Sequence, residues 1–161
     1  MRLSAGVEWA AHSCAMLAAL PEGGALRPAE LAAFFEVPSA YLAKQLQALS
    51  KAGLVAGARG PAGGYRLARP AEKITLRDIV LAIEGPGPCF RCQEIRRRGP
   101  TGQPKRCYAK PCAIARAMWA AERVYLAELG KVTLARLIAD AAPETSPEQK
   151  AATARWLETV A

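Results

Sequence analysis

Apolar residues along the first half of the chain recur at helical spacing in four stretches separated by short, turn-rich intervals. Residues 3–20 carry alanine, leucine, valine and methionine without a proline, which predicts a first helix ended by the PEGG of residues 21–24. A short second helix is expected over 28–35, with Pro28 at a first-turn position where its missing N–H costs nothing. After a turn at 36–39, Ser39 is placed to cap a third helix over 40–52. Leu42, Leu46 and Leu49 share one face of that helix, and Tyr41, Lys44, Gln45 and Lys51 lie elsewhere around it. Residues 53–70, GLVAGARGPAGGYRLARP, read as strand, glycine-rich turn and strand, a basic hairpin with Arg59, Arg66 and Arg69 near its tip. A fourth helix starts at Thr75, where Thr75 and Asp78 have capping-box spacing, and runs to Gly85.

The texture then changes. Residues 85–112 are dense in glycine and proline, hold four of the five cysteines and include the run Arg96, Arg97, Arg98, so no regular element fits most of them. Helical spacing returns at 113–129 and 133–139, and Ser146, Pro147 and Gln149 open a last helix in the tail. The expected fold is mainly α with a small β-wing: a winged helix-turn-helix followed by a long C-terminal dimerisation helix. The matching division is 1–84 for the DNA-binding unit, 85–111 for a cysteine-rich loop, 112–140 for dimerisation helices and 141–161 for a helical tail.

Charge fits the hairpin and third helix. With 22 Lys and Arg against 14 Asp and Glu in 161 residues, the net charge of +8 suits a polyanion such as double-stranded DNA. The contact candidates are Ser39, Tyr41, Lys44 and Gln45 on the third helix, with Gln45 suited to adenine, and Arg59 and Arg66 on the wing. The plainer reading of each is a solvated or phosphate-facing position without base specificity. Glu8 and His12 interrupt the first apolar stretch, which is therefore neither a secretion signal nor a membrane span of about 18 or more apolar residues. The expectation is a cytoplasmic protein without membrane contact, whose cysteines are free thiols, metal ligands or redox sensors before structural disulfides. One histidine and no nucleophile motif leave little equipment for an enzyme.

Cys89, Cys92, Cys107 and Cys112 lie together in a cationic loop, an arrangement suited to zinc, to an iron-sulfur cluster or to thiol chemistry; inert thiols are the alternative. Glu8 and His12, four apart on the first helix, are either two ligands or an ion pair. Cys14, amid alanine and leucine, reads as a small core residue.

The segments MRLS, YLAKQLQALSKAGLV, RGPAGGYRLARP and ITLRDIVLAIEG, followed by a cysteine loop and a long helix, resemble the IscR and NsrR family over about residues 1–140. That resemblance implies a dimeric winged-helix transcription regulator that senses iron-sulfur status, nitric oxide or redox state. In some members a ligand comes from the first helix of the other subunit, and Glu8 with His12 resembles redox sensors whose 2Fe-2S cluster has Cys, Glu and His ligands. By that likeness the metal ligands are Glu8, His12, Cys107 and Cys112, with Cys92 and Cys89 as alternatives. Cluster ligands then come from both subunits of a homodimer, Trp9 moves as a switch residue, and the oxidised protein binds operator DNA. The pattern departs from the family's three closely spaced thiols, so the choice of loop cysteines stays open. The rival is a zinc-bound or thiol-based redox regulator of the same fold.

Overall fold

The computed structural model describes residues 3–58, 60, 63–100, 102 and 104–160. Arg59 and Pro61, expected at the wing tip, lie outside the described residues. The chain forms α1 (Ala5–Ala18), α2 (Pro28–Phe34), α3 (Ser39–Lys51), β1 (Val55–Ala58), β2 (Gly64–Leu67), α4 (Leu76–Glu84), α5 (Ala113–Leu129), α6 (Leu134–Ala141) and α7 (Pro147–Val160). Three short 3-10 turns complete the described elements, at Ala71–Lys73, Ile95–Arg97 and Lys105–Tyr108.

One stripe of α1, Gly6, Val7, Ala10, Ser13, Cys14 and Leu17, is buried, as the i, i+3, i+4 period requires of a helix lying on a core. Against it pack α3, through Leu42, Leu46 and Leu49, and α4, through Ile79 and Val80. Leu26, Leu31, Leu54 and Ile74 close the same cluster. Each such side chain contributes about 2 kcal/mol by leaving water, so this leucine-rich centre is the main source of stability. Cys14 is fully buried within it, and burial pushes its thiol up to about 12. Cys14 is therefore a packing residue.

Two helix starts follow from side-chain caps. Thr75 Oγ1 accepts the Asp78 N–H at 3.2 Å while the Asp78 carboxylate accepts the Thr75 N–H at 2.9 Å, the reciprocal box expected from the spacing. Thr133 Oγ1 likewise accepts the Arg136 N–H at 3.1 Å. Ser39 does not cap α3: Pro38 holds the cap position and Ser39 is the first helical residue. Proline serves there because the cap needs an extended backbone, and its carbonyl accepts from Tyr41 and Leu42 at 3.0 Å each.

The wing pairs β1 antiparallel to β2, with Val55 opposite Leu67 and Ala58 opposite Gly64. β2 is tied on its other side to the segment before α2 by two bonds, Tyr65 N–H to Leu26 O at 2.7 Å and Leu26 N–H to Tyr65 O at 3.0 Å. Gly64 makes this approach possible, since a Cβ there would sit 2.5 Å from the Leu26 carbonyl. The C-terminal helices return to the same core. Leu134 N–H bonds Ile74 O at 2.8 Å, Leu76 N–H bonds Val132 O at 3.0 Å, and Leu134 is 1% exposed. No helix among the described residues is long and apolar enough to cross a membrane.

Candidate functional site

The turn between α2 and α3 is tight enough to place Glu36 in the left-handed region at φ 52°. It delivers α3 with Ser39, Tyr41, Lys44 and Lys51 exposed on its outer side, and Arg66 is exposed on β2. Gln45 corrects the sequence reading. It is 7% exposed and faces α1, where a Cβ on Gly6 would lie 2.9 Å from the Gln45 amide carbon. Its position, three after Leu42 and four before Leu49, puts it on the buried stripe rather than toward a groove. Gly6 exists at this crossing because the Gln45 side chain fills the space a larger residue would need.

On the opposite side of α1, Glu8 and His12 are both exposed, one turn apart. No ion pair joins them among the described residues. The His12 ring stands 5.8 Å from the Phe35 ring, centroid to centroid. Trp9, between the two faces of α1, sets its edge on Tyr41 of α3 with centroids 5.4 Å apart. This contact joins the Glu8 turn directly to the exposed side of α3, and no periodicity in the sequence announces it.

The loop between α4 and α5 has no buried residue among those described, and polar contacts shape it. Glu94, itself left-handed at φ 49°, is the centre. Its carboxylate accepts from Arg96 Nε at 2.7 Å and from the Cys112 N–H at 3.4 Å, and lies 3.8 Å from Cys92 Sγ. Arg97 adds an ion pair at 3.7 Å. Arg96 also donates to Lys110 O at 2.8 Å, the Tyr108 hydroxyl donates to Arg96 O at 2.9 Å, and both guanidiniums lie over the Tyr108 ring. The Arg96 hydrogen bond holds the Glu94 carboxyl below its ordinary range. Two further bonds fasten the loop to α5: Trp119 Nε1 to Phe90 O at 3.0 Å and Cys89 N–H to Glu122 Oε1 at 2.8 Å.

This arrangement brings Cys92 and Cys112 to one carboxylate, while Cys107 stands exposed on the Lys105–Tyr108 turn and Cys89 sits beside Glu122. Cys112 caps α5, and the Ala115 and Ile114 N–H groups lower its thiol pKa, as expected of a thiolate at a helix N-terminus. Glu122 instead raises that of Cys89. Among the described residues of one chain, no three His, Cys, Asp or Glu side chains converge to hold a metal ion. Next to Cys112, α5 exposes Ile114, Met118 and, further along, Val124.

Three comparisons bear on this arrangement. The model of the Rrf2 family, described as iron-dependent transcriptional regulators, matches residues 3–140. A protein of Lactococcus lactis named as an HTH-type transcriptional regulator, YffB, is 32% identical over 137 residues, covering 85% of this chain and 86% of that protein. Among solved structures, CymR, the global cysteine regulator of B. subtilis, superposes with a TM-score of 0.60 at 24% identity, over 86% of this chain and 97% of that one. IscR of T. potens superposes at 0.61 with 24% identity, over 88% of each chain, and at these identities both structures speak for the fold alone. Winged helix, loop and α5 all fall within the matched span, and the relatives are DNA-binding transcriptional regulators rather than enzymes. The chain belongs to the Rrf2 family of transcriptional regulators.

Proposed function

We propose that this regulator is a homodimer that senses redox state through a 2Fe-2S cluster held between subunits, by Cys92 and Cys112 of one chain and Glu8 and His12 of the other. The observation that carries this reading is the division of the donors. The Cys92 thiol and the backbone N–H of Cys112 both meet Glu94 at the foot of α5, while the Glu8 carboxylate and the His12 imidazole stand exposed on α1, and among the described residues of one chain no three such donors converge. Two irons bridged by two sulfides need four protein ligands, which the two sets together supply. Cys92 replaces Cys107 in this proposal because its Sγ and the Cys112 N–H meet the same carboxylate, whereas Cys107 is exposed on the Lys105–Tyr108 turn. The apolar strip Ile114, Met118 and Val124 gives a second copy a surface to bury.

When bound, the cluster supplies a one-electron change of charge. The chain's own residues do the rest. Glu94, held by Arg96, ties the Cys92 thiol to the Cys112 backbone, and Cys112 takes stabilisation of its anionic form from the first N–H groups of α5. Trp9, edge-on to Tyr41, passes movement of the Glu8 turn to the recognition helix. Ser39, Tyr41 and Lys44 are the proposed groove-facing residues, with Lys51 and Arg66 on phosphates and the Arg59 assignment retained from the sequence. Residues 1–84, 85–111, 112–140 and 141–161 are the proposed functional divisions.

A second reading has its own support. Two cysteines that meet one carboxylate, Cys92 through its thiol and Cys112 through its N–H, with Cys112 at the N-cap position of α5, also suit a thiol-based sensor without metal. Anaerobic purification with a visible spectrum, iron and sulfide assays and DNA binding before and after one-electron reduction separates the two. A coloured protein with two irons and two sulfides per cluster and redox-dependent DNA affinity is expected. A colourless protein whose affinity responds only to thiol oxidants would replace the cluster with the thiol reading.

A further inference from the structure

The family match ends at residue 140, yet the chain continues into α7, Pro147–Val160, which docks back onto the winged helix. Its Trp156, Leu157 and Val160 pack against the hydrophobic core. Trp156 does more than cover apolar surface, because its ring begins a chain of four. It lies 4.6 Å from Phe34 at the end of α2; Phe34 stands edge-on to Phe35 at 5.0 Å; and Phe35 meets His12 at 5.8 Å. His12 is the one histidine of the sequence and is exposed on α1, where an imidazole with two free torsions takes its orientation from whatever packs beside it. Phe35 is that neighbour. Phe34, on a seven-residue helix and only half-buried, is in turn held by the Trp156 ring laid against it.

We propose that Trp156 is a positioning residue for His12, acting through Phe34 and Phe35, so that the tail helix sets the orientation of the imidazole offered to the partner subunit. This rests on the reading of His12 as a ligand. It assigns a role to a segment beyond the family's shared span: α7 ties the HTH turn to the sensing face of α1. A tail that merely added buried area would stabilise the fold without any particular effect on one imidazole.

The test uses that single histidine as its own probe, through the ring resonances of His12 in the full-length, metal-free protein by two-dimensional NMR. Trp156→Ala is expected to move the His12 signals beyond their linewidth, and Trp156→Phe, which keeps a ring against Phe34, to return them most of the way. Val160→Ala, which loosens the same helix away from the ring chain, is expected to leave them in place. Should Trp156→Ala fail to fold, Phe34→Leu breaks the chain at its second ring and is expected to produce the shift. His12 signals unmoved by Trp156→Ala or Phe34→Leu, or moved equally by Val160→Ala, would overturn the proposal. The ligand reading fails separately: full visible absorption in His12→Ala would remove its purpose from the positioning even where the ring chain itself is seen.

Discussion

The winged-helix core and the cysteine loop are built on opposite principles. In the core, Leu26, Leu31, Leu42, Leu46, Leu49 and Ile79 are fully buried, and among the described residues Ser13 and Gln45 are the buried polar ones. Between residues 85 and 112 no described side chain is buried, and one carboxylate, that of Glu94, collects two arginines and the surroundings of two cysteines. Burial sums over many contacts and yields a unit that resists change. A hub of partly exposed hydrogen bonds is cheap to rearrange, which is what the proposed sensing role would require of a loop beside a stable winged helix. The Trp9 and Tyr41 contact joins α3 to the turn of α1 that carries Glu8.

The contrast breaks first in the core. Leu46→Ala removes a fully buried side chain at the crossing of α1 and α3 and is expected to cost about 2 to 5 kcal/mol in chemical denaturation. A loss well under that would mean the core is looser than its packing. Gly64→Ala comes next, because its new Cβ would meet the Leu26 backbone, which cannot move without opening both bonds to Tyr65. The expected loss is about 1 to 3 kcal/mol, with faster amide exchange at Leu26 and Tyr65 as the local sign.

The same contrast explains what the sequence disclosed. Periodicity located α1 to α4 within a few residues and α5 at Ala113–Leu129, and side-chain chemistry named the Thr75 and Asp78 box, because these depend on neighbours three or four apart. Gln45 was misread because polarity was weighed above register, although its place between Leu42 and Leu49 held the correct answer. The loop was legible only as a cluster of thiols. That Glu94 joins Cys92 to Cys112 depends on a reversal of the chain across eighteen residues, and nothing local encodes it. The docking of Trp156 on Phe34 is longer-ranged still, as the two lie on helices at opposite ends of the chain.

A smaller change sharpens the comparison from the core side. Ser13 Oγ is buried without a hydrogen-bond partner among the described residues, in a stripe otherwise suited to apolar contact. Ser13→Ala removes the unpaired hydroxyl and adds helix propensity, so a gain of about 1 kcal/mol is expected in denaturation midpoints at unchanged slope. Destabilisation would show that Oγ is hydrogen-bonded in solution. In the loop, Glu94→Gln should leave global stability almost unchanged, since its ion pairs are partly exposed. Its effect belongs to the loop itself: faster alkylation of Cys92 and Cys112 together, against little change at Cys107. Equal acceleration of all three would mean that Glu94 does not specifically hold the pair.

The smallest expected effect lies where core and loop adjoin, at the end of α4. Glu84 accepts both the N–H and the hydroxyl of Ser4, at 2.9 and 2.7 Å, tying the start of α1 to the last residue of α4 before the loop begins. The Ser4 backbone bond, then the hydroxyl, lower the Glu84 pKa from its ordinary 4.5. A carboxylate whose folded pKa is depressed adds stability that is fully present above the unfolded value and fades as pH falls through the folded one. The contribution should therefore be constant from neutrality down to about pH 5 and vanish below pH 4.5, toward the depressed value. Wild type and Glu84→Gln should then differ slightly in thermal midpoint at pH 7 and converge in acid. A gap that persisted in acid would mean that the substituted amide disturbs the α4 end by shape rather than by charge.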